Sequence, residues 1–217
     1  VAVPSVPLNT GARLPLFGLG TWTAMNADEL KIALRVALDS GYRLIDTAEI
    51  YGNEHVIGEI LEEYFTAGKL KREEVFITTK SMFLDNWVSN YQPILQKQLA
   101  ALRVDYIDLY LVHCPCALKI TGAVYPNLKG TVVHEDIEHI DTWRVLEKHY
   151  KSGQLKALGL SNFNAKQIQA LYDKAEIKPA NLQVEMHIYW PQHELFDLCK
   201  KLNMTVTAYA PIGSPGR

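Results

Sequence analysis

The sequence predicts an α/β domain in which a parallel sheet rolls towards a β/α barrel with its helices outside. Three observations predict it. Short apolar strands alternate strictly with amphipathic helices from about residue 17 to residue 209, the pattern of a parallel sheet covered by helices. No glycine-rich dinucleotide fingerprint accompanies the first strand, since LFGLGTWTA does not fit G-x-G-x-x-G, and this disfavours a doubly wound fold. Residues able to do chemistry end consecutive strands, and a β/α barrel gathers such ends on one rim.

The elements follow in order. Residues 5–16 read as a hairpin turning at Asn9-Thr10-Gly11, outside the repeating pattern. Phe17 to Thr21 is the first barrel strand. A helix spans about residues 27–40, with Asn26 as N-cap, Glu29 three residues on and Gly41 past its end. Arg43 to Ile45 is the second strand, ended by Asp46; Tyr51 follows in the loop, and Asn53 and Glu54 open a helix. That helix carries Val56, Ile57, Ile60, Leu61, Tyr64 and Phe65, an apolar stripe at helical spacing. Glu74 to Lys80 is the third strand, residues 88–102 its helix, and Tyr106 to His113 the fourth strand, with a long loop to about residue 134. A helix over 135–151 starts in the acidic cluster Glu135, Asp136 and Glu138, which suits the positive end of a helix dipole. Leu155 to Leu160, Ala180 to Glu185 and Thr205 to Tyr209 complete seven strands. Asn164 caps one intervening helix and residues 192–202 form the other.

Composition narrows the function. The 217 residues are 48% hydrophobic, which is enough for a sizeable core, and 21% charged, with a net charge of −2. A pI near 6.4 leaves no electrostatic footprint for nucleic acid. No run is long enough to span a membrane, and VAVPSVPLNTG is not a signal peptide. Three cysteines, an odd number in a chain this size, suggest a reduced cytoplasmic protein. The spacing Cys114-Pro115-Cys116 does not suit zinc, so no metal is expected. One barrel domain over 1–217 is expected, with hairpin 5–16 and strands one to seven within 17–209. Seven strands leave an eight-stranded barrel open, so the natural protein is expected to continue past Arg217, or the chain to be a fragment.

At the strand ends stand Thr21 and Trp22, Asp46 with Tyr51, Lys80, His113, Ser161 and Asn162, Gln183 with Glu185, and Tyr209. Singly, each has an ordinary structural role available: Asp46 as a cap, Lys80 in water, His113 in the core. Together they place an acid, a phenol, an amine and an imidazole on one rim. A phenol has a pKa of about 10. A neighbouring ammonium lowers it, and a carboxylate beyond holds the ammonium charged. Asp46–Lys80–Tyr51 would thus make Tyr51 a general acid, with His113 hydrogen-bonding the same substrate oxygen. This protonates an oxygen that gains negative charge, as a carbonyl does when hydride reaches its carbon; the hydride must come from a cofactor. Tyr209 offers a flat face to a nicotinamide, and Ser161, Asn162 and Gln183 offer partners for its carboxamide.

The runs LPLFGLGTW, GYRLIDTAEIYGNEHVIG, VFITTK, DYIDLYLVHCP, GQLKALGLSNFN, NLQVEMH and AYAPIGSPGR carry a resemblance to the aldo-keto reductases along essentially the whole chain. The resemblance implies a (β/α)8 TIM barrel with an N-terminal β-hairpin, here lacking the last strand and the C-terminal segment. It also implies NADPH-dependent, reversible reduction of aldehydes and ketones to alcohols by a monomer with a small-molecule carbonyl substrate. The family's catalytic tetrad falls on Asp46, Tyr51, Lys80 and His113. Ser161, Asn162 and Gln183 would hold the carboxamide, Tyr209 would stack on the nicotinamide, and Thr21 and Asp46 would lie near its ribose. Pro211 to Ser214, including Ile212, would start the loop over the pyrophosphate.

There are three departures. Cys114 stands where the family commonly has a pocket-walling Trp, and Ser81-Met82 where an aromatic is frequent. A wider, softer substrate pocket is therefore expected, walled by Trp22, Phe83 and Tyr125 beside Tyr51 and His113. The family's 2′-phosphate and substrate-selecting segments would lie beyond Arg217. The alternatives to an active reductase are a non-catalytic cofactor-binding relative, crystallin-like or channel-subunit-like, and an inactive fragment.

Overall fold

The computed structural model describes residues 3–84, 87–121, 131–135 and 137–214. Strands β1 (Ser5–Pro7) and β2 (Arg13–Pro15) pair antiparallel with Val6 opposite Leu14. Gly11 closes the turn at φ 86°, in the region where glycine carries no steric cost. The barrel strands are β3 (Leu19–Gly20), β4 (Leu44–Asp46), β5 (Phe76–Leu84), β6 (Leu109–Thr121), β8 (Leu158–Ser161), β9 (Asn181–Glu185) and β10 (Thr205–Tyr209). They lie parallel in the order β10-β9-β8-β6-β5-β4-β3. Helices α1 (Ala27–Asp39), α2 (Glu54–Thr66), α3 (Trp87–Leu102), α4 (His139–Lys151), α5 (Ala165–Lys174) and α6 (His193–Lys201) run between them. No helix among the described residues is long and apolar enough to cross a membrane.

One hydrogen bond reports the curvature of this sheet. Gln183 on β9 donates to Asp46 on β4 at 2.7 Å, although four strand steps separate the two. Laid flat, those steps would span about 19 Å. The sheet therefore curls into a nearly closed barrel and brings the two ends together across the bore.

The two ends of the barrel are finished differently. Leu8 and Leu14 of the hairpin pack with Leu44, Phe76, Leu109, Leu111, Ala157 and Ala180. Most of these begin or immediately precede their strands, so the hairpin plugs the amino-end mouth. Asn9 ties it down by donating to the Pro179 carbonyl at 3.0 Å. The carboxyl-end mouth stays open. Outside the sheet, the larger core joins Leu30, Leu34 and Leu38 of α1, Val56, Ile57, Ile60, Leu61 and Tyr64 of α2, and Trp143 of α4 to outward strand residues such as Ile45, Ile77 and Val112. Asn26 caps α1 by accepting from the Asp28 and Glu29 amides, and Asn164 with Gln167 forms a capping box on α5.

Several boundaries differ from those read in the sequence. The first barrel strand is only Leu19–Gly20, and the fifth begins at Leu158, Leu155 contributing an isolated bridge to Ile107. The expected loop after His113 is instead a continuation of β6 to Thr121, paired antiparallel with β7 (Thr131–Glu135). The β-branched runs Lys119-Ile120-Thr121 and Thr131-Val132-Val133 flank a stretch with Gly122, Pro126 and Gly130, a hairpin signal in its own right. Helix α4 accordingly starts at His139, and Glu135 ends a strand.

Gly58 lets α2 approach the backbone of α3 closely. A Cβ there would lie 2.0 Å from the Ala101 carbonyl oxygen of α3. Gly58→Ala should therefore lower unfolding stability by about 2 kcal/mol, because the overpacking outweighs the gain in helix propensity. Urea denaturation would measure it.

Candidate active site

The open mouth holds a cavity of about 570 Å³ lined by Gly20, Trp22, Asp46, Ile50, Tyr51, His113, Ser161, Asn162, Gln183, Glu185, Tyr209, Ala210, Gly213 and Ser214. Asp46, in its lining, is one half of an ion pair. Lys80, expected at a strand end but standing at the middle of β5, which runs on to Leu84, is 1% exposed, and its Nζ lies 2.6 Å from Asp46 Oδ1 at the end of β4. The same ammonium donates to the Thr47 carbonyl at 2.9 Å and to Tyr51 Oη at 3.3 Å. Burial alone would pull the lysine's pKa down, but attraction to Asp46 and Tyr51 outweighs it and the net shift is upward. Lys80 therefore stays charged.

Tyr51 ends a single 3-10 turn (Glu49–Tyr51), and the left-handed Gly52 after it turns the chain into α2. The His113 ring meets the Tyr51 ring edge-on, centroids 5.9 Å apart. Desolvation, then the charge of Lys80, push His113 down to about 3. The imidazole is neutral at any working pH and can donate a hydrogen bond, not a proton. Its Nδ1 is buried with no hydrogen-bond partner among the described residues.

A second chain of contacts runs round the rim. Tyr209 Oη donates to Asn162 Oδ1 at 2.9 Å, and Asn162 Nδ2 donates to the His113 carbonyl at 2.9 Å and to Ser161 Oγ at 3.2 Å. Asn162 sits at φ 63°, a left-handed geometry that asparagine tolerates better than most residues. The donor set suits a nicotinamide: a partly exposed phenol ring and three side chains offering both hydrogen-bond senses beside an open cavity.

Most of the residues named from the sequence meet here; several do not. Thr21 is buried and does not line the cavity; its amide and hydroxyl both donate to the Asp46 carbonyl at 3.0 Å. Ile212 is 99% exposed and turned away, whereas its neighbours Gly213 and Ser214 line the mouth. Cys114 is not among the lining residues; its sulfur faces Cys116. The side chain of Phe83 and the whole of Tyr125 lie outside the described residues. Sequence reasoning missed Gly20, Ile50 and Ala210, each adjacent to a residue it named. Asn53 does precede α2 at its N-cap position, as read, but its side chain does not cap the helix. Asn53 is buried and binds the Thr21 carbonyl at 2.8 Å and the Ala24 carbonyl at 3.3 Å, tying the first strand's loop to α2.

Behind Lys80 lies a buried polar layer. Glu54 accepts from Thr79 Oγ1 at 2.6 Å and from Gln98 Nε2 at 3.1 Å, and Tyr110 Oη donates to Gln98 Oε1 at 2.7 Å. Burial raises Glu54 to about 7, against smaller lowering by those hydrogen bonds.

A half-buried phenol, held against an ammonium and beside a neutral imidazole, can deliver a proton to an oxygen that is gaining charge. At the carboxyl-end rim of a parallel barrel, this chemistry defines a β/α-barrel oxidoreductase. The chain belongs to the Aldo/keto reductase family, whose sequence profile matches residues 16–217. It is 44% identical over 219 residues to Aldo-keto reductase family 1 member A1 of Bos taurus, covering 100% of this chain and 67% of that protein. The Homo sapiens protein of the same name is 43% identical with the same coverage. The chain thus spans about two-thirds of the length of these relatives. The solved aldose reductase of Schistosoma japonicum superposes with a TM-score of 0.90 at 39% identity, over 97% of this chain and 70% of that one. The fold is accordingly of the (β/α)8 type with an N-terminal hairpin, and the family is one of NAD(P)H-dependent oxidoreductases.

Two outcomes follow from the buried charges. Asp46→Asn strands a buried ammonium and should cost about 3 kcal/mol in urea unfolding, more than Lys80→Met, which removes the charge itself. For Glu54, the native state keeps a proton that the unfolded chain releases between pH 4.5 and about 7, so its contribution falls as pH rises through that window. His113 has the opposite sign, costing stability as pH falls below about 6.5. The difference between parent and Glu54→Gln isolates the first effect. The variant should match the parent near pH 4.5 and exceed it at pH 8 by roughly 3 kcal/mol.

Proposed function

We propose that the chain reduces aldehydes and ketones to alcohols with NADPH, with Tyr51 as general acid. The observation that carries this reading is the 3.3 Å approach of Lys80 Nζ to Tyr51 Oη, with Asp46 2.6 Å behind the same ammonium. In this reading the substrate oxygen sits between Tyr51 and the neutral His113, whose N–H orients it. Tyr51 Oη gives its proton to that oxygen, and the Lys80 ammonium stabilises the negative charge left on the phenol. Asp46 keeps Lys80 charged, and the Thr47 carbonyl fixes where its hydrogens point. Trp22 forms one wall of the substrate site, with Phe83 and Tyr125 proposed as others.

A bound nicotinamide cofactor would supply the hydride that the carbonyl carbon takes up. Ser161, Asn162 and Gln183 would hold its carboxamide, Tyr209 would lie against the nicotinamide ring, and Asp46 would meet the ribose. Thr21 would act through its grip on the Asp46 carbonyl, and the Ile212–Ser214 segment would take the pyrophosphate. NADPH rather than NADH, a cytoplasmic setting and a monomeric state are carried over from the family resemblance and composition.

Tyr51→Phe tests the assignment. Turnover of an aromatic aldehyde, followed at the reduced-nicotinamide absorbance band, should fall by about 10²-fold or more. Fluorescence quenching by NADPH should be largely retained, and the parent's rates with NADPH and NADH read the preference. Turnover surviving in Tyr51→Phe would overturn the role of the phenol.

A further inference from the structure

The pairing of β5 with β6 breaks just past His113. Ser81 lies opposite Val112, and the next paired positions are Phe83 and Ala117. One residue of β5 therefore faces four of β6, and the three-residue surplus lies within the segment His113-Cys114-Pro115-Cys116. An extended strand sets residues i and i+2 on one face with Cα atoms about 6.6 Å apart, near the limit that a disulfide tolerates. A bulge bends the strand and relaxes that limit. Here Cys114 Sγ and Cys116 Sγ lie 3.0 Å apart, one S–H directed at the other sulfur. Both residues are half-buried, so a small reagent can reach them. The bulge is held from outside by His139 Nε2, which donates to the Pro115 carbonyl at 2.7 Å.

We infer that Cys114 and Cys116 form a redox-active dithiol, a site of reversible oxidation by low-molecular-weight disulfides, one residue from His113. Burial, and then the hydrogen bond to Cys116, push the Cys114 thiol up to about 12, so it keeps its proton and the first displacement falls to Cys116. The Cys116 thiolate attacks one sulfur of glutathione disulfide, forming a mixed disulfide and expelling one glutathione thiolate. Cys114 then attacks the Cys116 sulfur, its proton leaves to solvent, and the second glutathione is expelled. Two protein thiols are oxidised by two electrons, and one small disulfide is reduced to two thiols. An i, i+2 disulfide carries strain, which makes it readily reducible, and transient oxidation of this kind suits a reducing compartment. Closure brings the sulfurs from 3.0 Å to about 2.05 Å and draws on the backbone that presents His113 and, through its carbonyl, Asn162.

The test equilibrates the full chain in reduced and oxidised glutathione mixtures, quenches with acid, alkylates under denaturing conditions and reads intact mass and peptide maps. The expected result is a loss of two alkylation sites, mapped to the peptide holding Cys114 and Cys116 and reversed by dithiothreitol. Cys199, buried in the core, should remain alkylated throughout. Cys116→Ser should abolish the intramolecular bond, and Cys114→Ser should stop at a glutathione adduct on Cys116. Three alkylated cysteines in the parent even at the most oxidising mixture, or a bond that includes Cys199, would overturn the proposal.

Discussion

The structure depends on an ammonium kept charged where water is absent. Burying Lys80 alone would cost several kcal/mol. What makes it tolerable is a carboxylate 2.6 Å away, a backbone carbonyl at 2.9 Å and a phenol at 3.3 Å, all converging on one nitrogen. These partners come from the end of β4 and the loop after it, while the lysine comes from β5. The ion pair is therefore also a clamp between adjacent strands. The far side of Asp46 is taken by Gln183 from across the bore, so the same carboxylate reports both the local pairing and the closure of the barrel.

The rest of the molecule protects that arrangement. The hairpin fills the amino-end mouth with Leu8 and Leu14, and the cavity opens at the opposite end. Behind Lys80, the Glu54–Thr79–Gln98–Tyr110 layer gives each buried polar group a partner and carries the polarity of the site outward between α2, α3 and the sheet. Asn53 does similar work at the rim, joining the turn after β3 to the start of α2. A protonatable group within this layer links the stability of the fold to pH without touching the cavity.

Local features were legible in the sequence because their physics is local. The caps Asn26 and Asn164, the apolar stripe of α2 and the β/α alternation each depend on neighbours within a turn or a strand. The rim position of Asp46 followed from the fold class, since strand ends in a parallel barrel share one face, whereas β5 and β6 run on past Lys80 and His113 to Leu84 and Thr121. The β6–β7 pairing was harder to see because its two halves are separated by nine residues and their signal competes with that of a loop. Thr21 shows a different limit: its place at a strand end was read correctly, but its hydroxyl serves the Asp46 carbonyl and not the cavity.

The sequence by itself determined the alternation of barrel strands and helices, the family, and which side chains gather towards one rim, because chain order and residue type suffice for these. Only the tertiary structure decided which of those side chains touch. Curvature of the sheet brings Gln183 to Asp46, the left-handed turn at Asn162 links Tyr209 to the His113 carbonyl, and a three-residue surplus in β6 sets two sulfurs side by side. Each of these contacts depends on the relative placement of strands distant in sequence, which no local pattern encodes.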